Sequence, residues 1–198
     1  EDGIVSGWDD PRMPTISGLR RRGYTPNALR NFVETVGVAK RDNVIDVALL
    51  EFCVREDLNL LAPRAMAVLD PIKLILSNYN APETEMLSGE INPEDPLLGE
   101  RSIPFSKTLL IEKEDFKEVG ESKFFRLSLG QEVRLKSAYI IKAESVVKDS
   151  NGAIKEVHCS YDPESLSGSG TEASLRKVKG TLHWVSEPHA LKAEVRVY

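Results

Sequence analysis

Arg126, Arg134 and Lys136 lie in residues 124–148, FFRLSLGQEVRLKSAYIIKAESVVK, where β-branched and aromatic residues alternate with polar ones around a glycine-containing turn. That pattern predicts a hairpin. Strand side chains have period 2, so the length of the turn decides which face each basic residue takes. A two-residue loop at Gly130-Gln131 sets Arg126 opposite Leu135 and Arg134 opposite Leu127, mixing charged and apolar groups on both faces. A three-residue loop, Gly130-Gln131-Glu132, sets Leu129 opposite Val133, Ser128 opposite Arg134, Leu127 opposite Leu135 and Arg126 opposite Lys136. One face is then apolar and the other cationic. Like charges facing each other across a hairpin repel by up to about 1 kcal/mol. Such a face asks for an anionic partner, and a nucleic-acid phosphate or base edge would serve. The alternative is a solvated outer face neutralised by nearby glutamates.

Other chemistry-bearing residues carry less. Gly168-Ser169-Gly170-Thr171-Glu172-Ala173 matches the loose pattern G-x-G-x-x-A, but a dinucleotide site needs a strand before it and a helix after it, and this stretch reads as a Ser/Gly loop between strands. His158, His183 and His189 lack the i, i+4 spacing or cysteine partners of a zinc site. There is no nucleophile motif, phosphate-binding loop or paired-carboxylate constellation, so no active site is expected in these residues and no metal. Trp184 and Tyr24 could stack on bases, with core packing as the alternative for Trp184. The net charge of −5 on 198 residues argues against bulk attraction to nucleic acid. Binding would have to come from local patches: Arg20-Arg21-Arg22, the hairpin, and Arg176-Lys177-Lys179.

The elements that must position these groups change character along the chain. The expected fold class is α+β: an N-terminal helical subdomain, residues 1–68, followed by an antiparallel β-barrel, residues 69–198. Thr15 is placed to cap a helix from Ile16 to Arg22, and Thr25-Pro26 opens a second that stops at Gly37. This gives an αα pair with the arginine cluster at its joint. A third helix is expected from Asp42, as cap, to about Leu60. Pro63 restricts Ala62 to extended conformations and so holds Arg64 at the junction. Strands are expected at 72–76, 85–87, 101–105, 109–112, in the central hairpin, and at 154–161, 178–185 and 193–198. Asn151-Gly152 marks a hairpin tip, and 165–174 reads as a mobile small-residue loop. Cys53 and Cys159 form no spaced framework and are expected as reduced, buried thiols. With no signal peptide and no apolar run that could span a bilayer, the chain reads as soluble, cytoplasmic and free of membrane. It starts without Met and stops in an unfinished alternating strand, so a piece of a longer chain is expected.

Four segments carry a family resemblance: WDDPRMPTISGLRRRGYTP (8–26), DNVIDVALLEFCVREDLNLLAPRAMAVLDP (42–71), LGQEVRLKSAYIIKAESVVKD (129–149) and RKVKGTLHWVSEPHA (176–190). Together they resemble the glutaminyl-tRNA synthetase family, nearly from end to end. In that family the first segment follows the catalytic nucleotide-binding fold, packs near the inner corner of the L-shaped tRNA and leads to the barrel that grips the anticodon. The resemblance therefore implies the tRNA-binding part of an enzyme that joins glutamine to tRNA(Gln) with ATP and Mg²⁺, acting as a monomer. Neither His-Ile-Gly-His nor Lys-Met-Ser-Lys, the family's ATP-handling motifs, occurs here, so these residues alone are expected to be inactive and without a cofactor. Carried over residue by residue, Arg64 matches the arginine at the middle anticodon base, with Asn59 at the same junction. Arg126 matches the arginine at the third base, and Arg134 and Lys136 the basic pair near the first base. Lys136 stands where the family more often has arginine, and lysine lacks the bidentate fork. Arg20, Arg21 and Arg22 are expected on the tRNA backbone. The family's second, distal barrel is incomplete here. Two other readings stay open: the archaeal and eukaryotic type of glutamyl-tRNA synthetase, and a stand-alone ribosomal-RNA-binding barrel.

Overall fold

A computed structural model describes residues 3–80 and 84–197. The chain divides into two compact units. One comprises Glu1–Arg64, Ile91–Gly99 and Arg196–Tyr198, the other Ala65–Glu90 and Glu100–Val195.

In the first unit, helix α1 (Ile16–Arg21) begins where the Thr15 hydroxyl accepts the Gly18 N–H at 3.0 Å. Helix α2 (Pro26–Val36) has Thr25 as cap and proline in its first turn. It ends at Gly37, whose φ of 71° suits a residue without Cβ. Helix α3 (Val47–Leu61) starts from Asp46, which accepts the Ala48 N–H at 2.9 Å. The expected start at Asp42 is therefore four residues early. Val44 and Ile45 are exposed, so an extra turn there would gain no burial to offset its ordering. The Thr25 hydroxyl also donates to Asp57, a buried carboxylate on α3, tying the cap of α2 to its neighbour.

At the end of α3 stands Asn92, which the sequence reading missed. It is 1% exposed, and its amide lies within 3.0–3.2 Å of the carbonyls of Asn59, Leu60 and Ala62. The last carbonyls of a helix have no partner within it. Asn92 meets that need, which is why 91–99 belongs with the helices although it interrupts a β-hairpin.

The second unit is built from β1 (Pro71–Leu76), β2 (Glu85–Glu90), β3 (Glu100–Phe105), β4 (Thr108–Glu112), β5 (Phe116–Lys117), β6 (Leu127–Ser128), β7 (Glu132–Leu135), β8 (Ile140–Lys148), β9 (Ile154–Asp162), the one-turn helix α4 (Glu172–Leu175), β10 (Thr181–Leu182) and β11 (Val185–Ser186). Seven strands form one sheet in the order β10-β7-β8-β9-β1-β4-β11, while β2-β3 and β5-β6 pair separately. The α+β class holds, but the barrel is mixed and partly open: β1 runs parallel to β9 and β10 to β7. Its two edge strands are joined by only His183 and Trp184. The three steps from Leu182 to Val185 span at most about 11 Å, so the sheet curls until its edges come close. No ladder joins β10 to β11.

Trp184 sits at that seam. It is fully buried, edge-on to Phe105 at 5.2 Å, and its indole N–H donates to the Lys136 carbonyl at 3.0 Å. Leu74, Leu76, Leu109, Ile111, Leu135 and Ile141 complete the apolar interior around it. The single strand expected over 178–185 is thus two short strands, because the tryptophan between them leaves the ladder to fill the core.

Two further expectations fail. Arg126 does not face Lys136: β7 pairs with β8, setting Val133 opposite Ile141 and Arg134 opposite Ile140, and β6 pairs with β5. The long β8 offers β7 more cross-strand contact than two-residue β6 can. Residues 193–197 form no strand, since alternation needs a ladder partner and none is present among the described residues; Tyr198 lies outside them. The β8-β9 hairpin does turn at Asn151-Gly152, where the Asp149 carboxylate accepts both the Asn151 and Ala153 N–H groups. Both cysteines are free and buried, and burial pushes the Cys159 thiol up. Among the described residues no helix is long and apolar enough to cross a membrane.

Candidate nucleic-acid interface

Arg64 and Asn59 lie together in the first unit. The Arg64 backbone N–H donates to Ile91 O at 2.8 Å. Its guanidinium reaches the Asn59 carbonyl at 3.3 Å and the Asn59 amide oxygen at 3.5 Å. Asn92 holds the same turn, its amide reaching the Asn59 carbonyl that Arg64 also reaches, so Arg64 is positioned by a capped helix end rather than by Pro63 alone. Of the arginine cluster, Arg21 pairs with Asp9 at 3.1 Å and Arg22 lies over the Tyr24 ring at 5.3 Å. Arg20 is exposed.

In the second unit Arg126 is held by a group no sequence pattern announced. Asp115 lies in a single 3-10 turn before β5, its side chain 4% exposed, and its carboxylate accepts from Arg126 Nη1. Glu114 adds a weaker contact at 3.4 Å. The Arg126 side chain remains 46% exposed, and its Nη2 and Nε have no partner among the described residues. A buried carboxylate thus aims an arginine whose outer edge is free for a base or phosphate.

Arg134 is differently employed. Its Nη1 donates to Ser165 O at 2.8 Å and Ser167 Oγ at 3.1 Å, and its Nη2 to Ser174 O at 2.8 Å and Arg176 O at 3.4 Å. Burial, then the neighbouring Arg176, pull the guanidinium's pKa down. Residues 165–174, expected to be a mobile loop, are clamped from both ends by this fork. Ser165 is fully buried and accepts the Ile140 N–H at 2.7 Å, while Ser167 N–H donates to Ala138 O at 3.0 Å. Arg134→Lys should release the loop at a cost of about 1–3 kcal/mol, since one ammonium cannot serve both ends. Faster hydrogen exchange at the Ser167 and Ser169 amides is the expected reading; unchanged exchange would contradict the clamp.

Lys136 is exposed, and its ammonium has no partner among the described residues. Its backbone holds the seam, with N–H donated to Leu182 O at 2.8 Å and the carbonyl accepting from Trp184. Trp184 is therefore core and unavailable for stacking. The structure puts Arg134 in β7 and Lys136 just after it, leaves Arg126 just before β6, and does not assemble the single cationic hairpin face. The G-x-G-x-x-A stretch opens only the one-turn α4, capped by Thr171. The histidines serve locally: His183 lies 3.6 Å from Glu112, and His189 Nδ1 is 2.9 Å from Ser186 Oγ. Among the described residues no three His, Cys, Asp or Glu are grouped to hold a metal ion.

Comparison with known proteins gives two family matches. Residues 62–162 match the anti-codon binding domain of class I tRNA synthetases (E and Q), and residues 1–60 match the catalytic domain of the same class. The helices read above as a tRNA-contacting part thus fall within the sequence that the family counts with its catalytic domain. The chain is 54% identical, over all 198 residues, to a glutamine--tRNA ligase of Clostridium perfringens, covering 36% of that protein. It is likewise 54% identical over 198 residues to that of Tolumonas auensis, and 53% identical over 195 residues to that of Vibrio cholerae. The chain spans about a third of the length of these relatives.

Proposed function

Because the chain belongs to the class I tRNA synthetase family of the E and Q type, we propose that it is the tRNA-binding, anticodon-reading part of a glutaminyl-tRNA synthetase. The observation that carries the reading is that the stretch matching the anti-codon binding domain contains Arg64, Arg126, Arg134 and Lys136. Arg64 and Arg126 present guanidinium edges to the middle and third anticodon bases, each fixed by a partner of its own. Arg134 shapes the loop beside the first base and Lys136 supplies charge there. Asn59 sets the Arg64 turn, and Arg20 to Arg22 meet the tRNA backbone. Glutamine is favoured over glutamate as the amino acid by the names of the relatives. The intact protein would join glutamine to tRNA(Gln) using ATP and Mg²⁺, as a cytoplasmic monomer, with the ATP-handling groups outside these residues.

A purified preparation of residues 1–198 should retain a tRNA(Gln) transcript, more weakly as salt rises because the phosphate contacts release counterions. It should give no glutamine- and tRNA-dependent pyrophosphate exchange, whereas the intact protein should give both. Appreciable exchange by the chain alone, or a failure to bind any tRNA, would overturn the proposal.

A further inference from the structure

Phe125 is an anomaly in the second unit. The residue is 54% exposed although it stands two positions before fully buried Leu127 and on a tightly held backbone. The hold is visible at Gly180: a Cβ there would lie 2.2 Å from the Phe125 carbonyl oxygen and 3.3 Å from Val133. The chain entering β10 therefore presses directly on the Phe125 backbone, and only glycine allows it. Gly180 is in turn fixed by its carbonyl, which accepts the Arg134 N–H at 2.9 Å. The phenyl ring is thus presented to solvent from a rigid mount, which lowers the entropy lost when something covers it.

The surroundings say what could cover it. Lys179 Nζ lies 5.9 Å from the ring centroid, at the reach of a cation–π contact. Lys177 and Lys123, both exposed, stand in the adjoining sequence on either side. An exposed aromatic face flanked by lysines suits an unpaired nucleobase, whose π-face stacks while its phosphate meets ammonium. An apolar protein segment would gain the ring but leave those ammonium groups to be desolvated.

We propose that Phe125 and Lys179 form a stacking platform for one unpaired base of the bound RNA. This rests on the RNA-binding reading above and adds to it a sequence-tolerant contact distinct from the base-edge contacts of Arg64 and Arg126. Because the ring is exposed, its removal should leave folding intact, as a thermal melt of each variant will verify.

The experiment uses the intact protein and tRNA anticodon stem-loop transcripts carrying 2-aminopurine at one loop position at a time. Wild type should quench the fluorescence at one position on binding. Phe125→Ala and Phe125→Leu should both lose that quenching and bind about 5- to 150-fold more weakly, the range for one base–aromatic stack. Phe125→Trp should restore both. Wild-type binding with unchanged affinity and quenching in the alanine and leucine variants would overturn the platform alone and point to a protein contact for the ring. No stem-loop binding by wild type would overturn the RNA-binding reading and the platform with it.

Discussion

Trp184→Ala is expected to destabilise the strand-rich unit by about 3–5 kcal/mol, the cost of removing a large buried aromatic side chain. The expectation follows from where the residue sits. The sheet has two edges, β10 and β11, and His183-Trp184 is the whole covalent link between them. The indole fills the space between the edges, packs edge-on against Phe105, and gives its N–H to a carbonyl of the residue after β7. Deletion leaves a cavity and an unpaired carbonyl together. Trp184→Phe keeps most of the packing and loses the hydrogen bond, so it should cost about 1–3 kcal/mol for the unsatisfied group. Trp8, 80% exposed, supplies the control: Trp8→Ala should stay within about 0.5 kcal/mol. Urea unfolding followed by far-UV circular dichroism, with hydrogen exchange at the β4 and β7 amides, reads all three. Equal midpoints for the two alanine variants would show that the seam does not hold the barrel.

Local signals in the sequence proved the most legible. Thr15 and Thr25 cap their helices because a hydroxyl three residues ahead of an N–H is a purely local device, and Asn151-Gly152 turns its hairpin for the same reason. What failed was non-local. Alternation over 124–136 set a sensible register for β6 against β7, but β7 finds better partners in β8 and in β10, which follows it by more than forty residues. No period-2 pattern reports such a competitor, nor the parallel pairing of β1 with β9 that makes the barrel mixed. The site divides in the same way. Arg64 and Arg126 were visible as residue types in family motifs, as was Asn59 beside Arg64, whereas the buried groups behind them were not. Asp115 is one carboxylate in a 3-10 turn, and Asn92 one amide in a loop excursion. Both act through burial, which sequence spacing does not encode. Arg134 was legible as a cation, yet three of its four contacts are to backbone carbonyls, and a carbonyl has no sequence signature.

The second large effect concerns base recognition, and it separates readout from generic attraction. Arg126 spends Nη1 on Asp115 and keeps Nη2 and Nε free, enough donors for a forked contact to a base edge. Arg64 rests on Asn59 through Nη2. A good side-chain-to-base contact is worth about 1–3 kcal/mol of discrimination, or roughly 5- to 150-fold, whereas an arginine that only meets phosphate weakens every tRNA alike. Asp115→Asn should act in the same direction as Arg126→Ala, though less, since it loosens the arginine without removing it.

The most direct test compares aminoacylation efficiency by the intact enzyme on a cognate transcript and on transcripts changed at the middle or third anticodon base, at two salt concentrations. Arg64→Ala and Arg126→Ala are predicted to lower the cognate-to-changed ratio, for the middle and third base respectively, by roughly 5- to 150-fold. Arg20→Ala, on the exposed helical joint, is predicted to weaken cognate and changed transcripts equally and to flatten the salt dependence. If the Arg64 and Arg126 variants lower both efficiencies in equal proportion, those residues meet only phosphate or serve only as structural ion pairs, and the anticodon-reading account is wrong.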